Sequence, residues 1–192
     1  MARSPVGMAS AAALLLGGRR ITSFDEPSAE AALCRDLYPL SVDELLSSHI
    51  WKFADVFVKL APLAEPAEDF KYVYLRPIDA LGIRSVGTSP DDKDQTAHYQ
   101  VRGNRIYTDV ENVVVRIIAD IAPDLWPGYF QVAVIADLAA SLAYPLTLDR
   151  DVAEYYALKA EKRFDRSKNT DAKQVPPSRL RGFPLTDVRV GG

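Results

Sequence analysis

Residues 99–108 read Tyr-Gln-Val-Arg-Gly-Asn-Arg-Ile-Tyr-Thr. Tyr99, Val101, Ile106 and Tyr107 flank a polar centre, Arg102-Gly103-Asn104-Arg105. Glycine and asparagine tolerate positive φ, so this pattern predicts a tight antiparallel hairpin. The β reading extends outward from it. Phe53, Val56, Phe57, Val58 and Leu60 favour extended backbone, although helix stays open there. Residues 72–76, 81–87 and 113–118 are further strand candidates. The proline- and acid-rich stretch 61–69 and the polar stretch 88–97 predict surface loops.

Helical patterns lie on both sides of this β segment. Ser4-Pro5 offers a capping hydroxyl and a first-turn proline, followed by an alanine- and leucine-rich run that Gly17-Gly18 stops. A second helix is expected over 27–38, where Ala31, Cys34 and Tyr38 form an apolar stripe widened by Leu33 and Leu37. Pro39 should end it, and Ser41 with Glu44 fits a capping box for a short third helix to Ser48. Pro127 suits the start of a long apolar helix that Pro145 should close after Tyr144. Asp149 can cap a last helix to about Asp165, carrying Tyr155, Leu158 and Phe164 on an otherwise charged surface. Strands set between runs of helices predict an α+β fold. The expected form is mainly a helical bundle (residues 1–52 and 120–165) with an inserted small antiparallel β segment (53–119). An extended C-terminal tail (166–192) should follow.

The 192 residues carry a net charge of −3, with 48% hydrophobic and 26% charged side chains, the balance of a folded chain. Tight DNA wrapping needs a basic excess that is missing here. The lone Cys34 excludes an intrachain disulfide and reads as a buried apolar residue, suited to a reducing cytoplasm. The run 6–16 has some features of a signal peptide but reads better as a helix, and no apolar run reaches the roughly 18 residues of a membrane span. The expected protein is soluble.

Chemistry-bearing motifs are missing from the sequence. His49 and His98 lack metal-ligand spacing; His49 should pack beside Trp51 and His98 should be solvated. Neither nucleotide-binding glycine motif nor a nucleophile elbow occurs. Asp92 and Asp94 would open a calcium loop, but Ala97 and Gly103 stand where its glycine and glutamate belong. The reading is therefore non-enzymatic: no catalytic residue, no cofactor and no metal. In the tail, Leu180, Phe183 and Leu185 interleave with Arg179 and Arg181. The tail's cations suit either DNA contact or an acidic protein partner, and the apolar anchors among them favour a strap that orders on the protein. Trp51 and Phe53 are expected to be structural anchors joining the helices to the β segment.

Four pieces in order carry a resemblance. The first runs from Leu16-Gly17 through Ile21, Ser23, Asp25, Ser28 and Glu30-Ala31 to Cys34 and Tyr38. Leu45-Leu46 with His49-Ile50-Trp51-Lys52-Phe53-Ala54 is the second, and Tyr74-Leu75-Arg76-Pro77-Ile78-Asp79-Ala80-Leu81 the third. The fourth is Leu138-Ala139-Ala140-Ser141-Leu142-Ala143-Tyr144-Pro145-Leu146-Thr147. Together they span about residues 10–165. The chain resembles the tail tubular protein A group, the head-to-tail adaptors (connectors) of short-tailed phages. It departs at Ile50, where the family has proline, at Lys52, where it has asparagine, and at Arg76, where it has leucine.

The resemblance implies a virion protein of the neck or tail, assembled in the host cytoplasm. It implies a homo-oligomeric, twelvefold ring between the portal protein and a distal tail (nozzle) protein, with no membrane. DNA would pass through the channel without specific binding, which suits a slightly acidic ring. The C-terminal tail would strap onto portal, and the loop at Asp91, Asp92, Lys93 and Asp94 would face the next tail component. A head-completion protein of a long-tailed phage or gene-transfer particle is the alternative; a nucleic-acid-binding regulator or a small-molecule enzyme fits the residues less well.

Overall fold

A computed structural model describes residues 4–65, 69–89 and 97–174. The fold is mixed α+β, with two small antiparallel sheets between two pairs of helices. Helices α1 (Pro5–Leu15) and α2 (Ala29–Ser48) come first. Strands β1 (Asp55–Lys59), β2 (Tyr72–Leu75), β3 (Ala80–Gly87), β4 (Tyr99–Arg102), β5 (Arg105–Thr108) and β6 (Val114–Ala119) follow. A 3-10 turn (Pro123–Leu125) leads into α3 (Gly128–Thr147) and α4 (Arg150–Ala172).

Local chemistry explains the helix starts. The Ser4 hydroxyl accepts from the Gly7 N–H at 3.1 Å, and Ser28 accepts from the Ala31 N–H at 3.2 Å. Asp149 accepts from the N–H groups of Asp151 and Val152, as its position before a charged amphipathic run predicts. Both internal prolines depart from expectation. α2 runs unbroken through Pro39, and α3 continues through Pro145 to Thr147. A proline removes one N–H and clashes with the carbonyl four residues back. Those carbonyls belong to Arg35 and Ser141, which are exposed like the prolines themselves, so water can serve them. Meanwhile Cys34, Tyr38, Ser41 and Leu45 keep one buried stripe running past Pro39. Ser41 is thus a buried mid-helix residue instead of a cap.

The hairpin forms as its sequence predicts. β4 and β5 pair antiparallel from Tyr99–Thr108 to Arg102–Arg105. Gly103 has φ +61° and Asn104 stays at negative φ, so positive φ falls on the first turn residue, as in a type II′ turn. One sheet has the order β1-β6-β3 and the other β2-β5-β4. The two share an apolar cluster in which Tyr74 and Ile106 meet Val86, Val115 and Ile117. Arg116 clasps both carboxylate oxygens of Asp55 at 2.6 and 2.7 Å, tying β6 to β1.

The helices share a second cluster centred on α3, whose Phe130, Val134, Leu138 and Leu142 are fully buried. By length and composition α3 could cross a membrane, contrary to the expectation that no run is long enough. Just over half of it is buried inside the protein, against α1, α2 and α4. On α2, the Tyr38 hydroxyl is buried and has no hydrogen-bond partner among the described residues. Burial pushes this phenol up to about 12. The neutral form therefore contributes stability that is complete below the unfolded value near 10 and fades as pH rises through about 12. Tyr38→Phe should stabilise the protein by about 1 kcal/mol in urea titrations at neutral pH, because an orphaned buried hydroxyl is removed. It should also reduce the loss of stability between neutral pH and pH 12.

Candidate interaction surfaces

The junction between α2 and β1 is built around Trp51, which is 1% exposed. Five aromatic neighbours surround its ring: His49 at 4.8 Å, Phe130 at 4.9 Å, Phe164 at 5.9 Å, Phe53 at 6.1 Å and Tyr129 at 6.3 Å. The indole N–H donates to the Leu45 carbonyl at 2.7 Å, serving one of the carbonyls left open at the end of α2. Phe53 is half-buried and also meets Phe130 at 4.9 Å. The two predicted anchors thus lie in one aromatic cluster, with His49 beside Trp51 as expected.

Beneath this cluster lies a carboxylate that the sequence reading placed in the tail. α4 continues past Asp165 to Ala172 and buries Ser167 and Asp171. Both Asp171 oxygens accept from the Lys52 N–H at 3.1 Å. The Tyr129 hydroxyl donates to Asp171 at 2.6 Å, and His49 Nε2 lies 3.5 Å away. Burial raises the Tyr129 phenol, and its bond to Asp171 raises it further. The Ser167 hydroxyl lies 2.9 Å from the Tyr129 carbonyl. These bonds fix the end of α4 against the link 49–52. Nothing in the run from Arg166 to Asp171 announces this, because it lacks apolar periodicity.

The other predicted positions separate from this junction. Asp91, Asp92, Lys93 and Asp94, and the strap residues Arg179, Leu180, Arg181, Phe183 and Leu185, lie outside the described residues. His98 is exposed and stacks on Phe70 at 5.3 Å. Cys34 is fully buried; burial and the nearby Glu30 push its thiol up to about 11, which makes it a poor nucleophile. Among the described residues no three His, Cys, Asp or Glu side chains come together to hold a metal ion.

Among the described residues, exposed apolar side chains gather on a helical surface and on a β surface. On the helical side, Leu14, Leu15, Val132, Tyr155 and Leu158 are all exposed. Leu15 and Val132 line a shallow pocket of about 140 Å³ with Tyr156, Lys159 and Arg163. The outer ridge of α4 continues it as a groove of Tyr155, Leu158, Lys159, Lys162, Arg163 and Arg166. On the β side, Ile78 is fully exposed in the turn Pro77-Ile78-Asp79. It shares a shallow groove with Leu75, Arg76 and the hairpin tip at Gly103 and Asn104. Sequence reasoning missed this surface, although an isoleucine between proline and aspartate was its signal: an apolar side chain in a turn has little to bury against. Burial also divides the residues of α4, turning Phe164 inward to Trp51 and leaving Tyr155 and Leu158 outside. No family model and no curated protein sequence matches this chain.

Proposed function

We propose that the chain is a structural, non-enzymatic head-to-tail adaptor of a tailed phage, a ring subunit between portal and tail around the DNA channel. The supporting observation is the pair of separate apolar surfaces, one on the helices and one at the β turn around Ile78. Contiguous exposed apolar side chains mark docking sites, and an adaptor needs more than one. In this reading a helical bundle (residues 1–52 and 120 to the end of α4) forms the ring body, and the β segment 53–119 meets the distal tail protein. The segment after Gln174 straps onto portal through Arg179, Leu180, Arg181, Phe183 and Leu185. The loop at Asp91, Asp92, Lys93 and Asp94 belongs to the tail-facing side. The ring holds twelve copies, lets DNA slide, and needs no cofactor. It works in the neck of the virion.

In this reading the strap begins after α4, which runs to Ala172 and buries Asp171. Cutting the chain at Arg166 would remove Ser167 and Asp171, so it could not leave the fold intact. A chain ending at Gln174 keeps both. It should melt like the full chain and lose capture by portal in a pull-down. Normal capture by the truncated protein would refute the strap. Electron microscopy of the full chain mixed with portal tests the adaptor reading as a whole: rings seated on portal are expected, and a chain that ignores portal overturns it.

A further inference from the structure

The groove on the outer ridge of α4 carries four cations, Lys159, Lys162, Arg163 and Arg166, around Tyr155 and Leu158, and among the described residues no carboxylate lines it. Its complement sits on the same chain. On α2, Asp36, Leu40 and Asp43 follow one another at helical spacing, four and then three residues apart, so they share one face. Leu40 is 62% exposed, a single apolar knob between two carboxylates. From this pairing we propose that the α2 ridge of one copy docks into the α4 groove of the next, with Leu40 inserted against Leu158 and Tyr155. Asp36 and Asp43 would face the cations.

Three features favour a second copy as the occupant. Charge is complementary, with Asp36, Asp43 and Glu44 outnumbering Arg35 on the exposed side of α2 and bases lining the α4 groove. Apolar shape is complementary too, since a lone leucine meets a groove whose apolar floor is exposed. Among the described residues both ridges are exposed, and Asp36 meets only its neighbour Arg35, at 3.1 Å across an exposed pair that a partner's cations can replace. The two surfaces differ, so the contact is head-to-tail and extends from copy to copy into a ring or a filament. This deepens the ring reading above and rests on it. It adds which helices meet and with what chemistry.

Oxidative cross-linking of the full chain tests the contact. Leu40→Cys and Leu158→Cys both replace exposed side chains, so the fold should survive, and native Cys34 is buried and unreactive. On denaturing gels the oxidised double variant should give a ladder of covalent dimers, trimers and larger species, while each single variant runs as uncross-linked chain. A double variant that gives no covalent oligomer, or a single variant that cross-links by itself, overturns the proposal. Charge reversal supplies an independent reading. Lys162→Glu with Arg166→Glu should abolish assembly in sedimentation, and adding Asp36→Lys with Asp43→Lys should restore it. Failure of the fourfold variant to assemble, with its circular dichroism unchanged, also overturns the contact. Portal pull-down separates the two readings. Capture without a ladder leaves the adaptor and removes this interface; a ladder without capture does the reverse.

Discussion

Trp51→Ala should lower the unfolding free energy by about 3–5 kcal/mol, the cost of emptying a buried tryptophan site. Such a loss is a large share of the roughly 5–15 kcal/mol that holds most domains together. The size follows from the surroundings. Trp51 is nearly inaccessible, and its ring touches aromatic side chains from α3, α4 and the start of the β segment. Removal leaves a cavity between elements far apart in sequence, which cannot all close in. It also removes a donor to the Leu45 carbonyl, which the Ser48 hydroxyl also serves at 3.1 Å. Trp51→Phe keeps a ring and loses that donor, so a smaller loss of about 1 kcal/mol should follow. Urea titration measures both. A loss below about 1 kcal/mol for the alanine variant would contradict the anchoring role.

Asp171→Ala should cost about 3 kcal/mol, since it strands the Lys52 N–H and the Tyr129 hydroxyl in a buried site. Breaking a satisfied polar cluster is costly because the remaining donors keep their desolvation penalty. Asp171→Asn still offers one acceptor oxygen, so its loss should be smaller. A chain ending at residue 165 should be less stable than one ending at 174 by at least the cost of Asp171→Ala, because Ser167 and its bond to the Tyr129 carbonyl go as well. Equal urea midpoints for the two truncated chains would show that the end of α4 anchors nothing. The effect reaches beyond stability. With Asp171 fixed beside Lys52 and His49, the chain leaves α4 next to the α2–β1 junction, so the proposed strap has a defined point of departure.

What the residues announce locally and what they do not divides along the range of the interactions. Caps at Ser4 and Asp149 and the hairpin at Gly103 depend on partners within a few residues, and each was legible. Strand positions in the β segment were legible to within a few residues, because alternating apolar side chains report a half-buried sheet. The burial of Trp51 was legible because so large an apolar ring seldom stays outside.

The misses share one cause. Local rules ended α2 at Pro39, yet the buried stripe from Cys34 to Leu45 carries the helix on, and both Pro39 and Arg35, whose carbonyl it frees, are exposed residues. The last turns of α4 look like a polar tail. Their burial depends on Lys52, 119 residues from Asp171, and on Tyr129, 42 residues away. Which of Tyr155, Leu158 and Phe164 turns inward was likewise settled by where Trp51 sits. The sequence by itself determined the α+β class, most helix starts and the hairpin, because those rest on spacing and on hydrogen bonds within a turn or two. Only the tertiary structure decided where proline is tolerated, where α4 stops and which apolar side chains stay open. Each of those outcomes depends on what a distant segment brings to the same place.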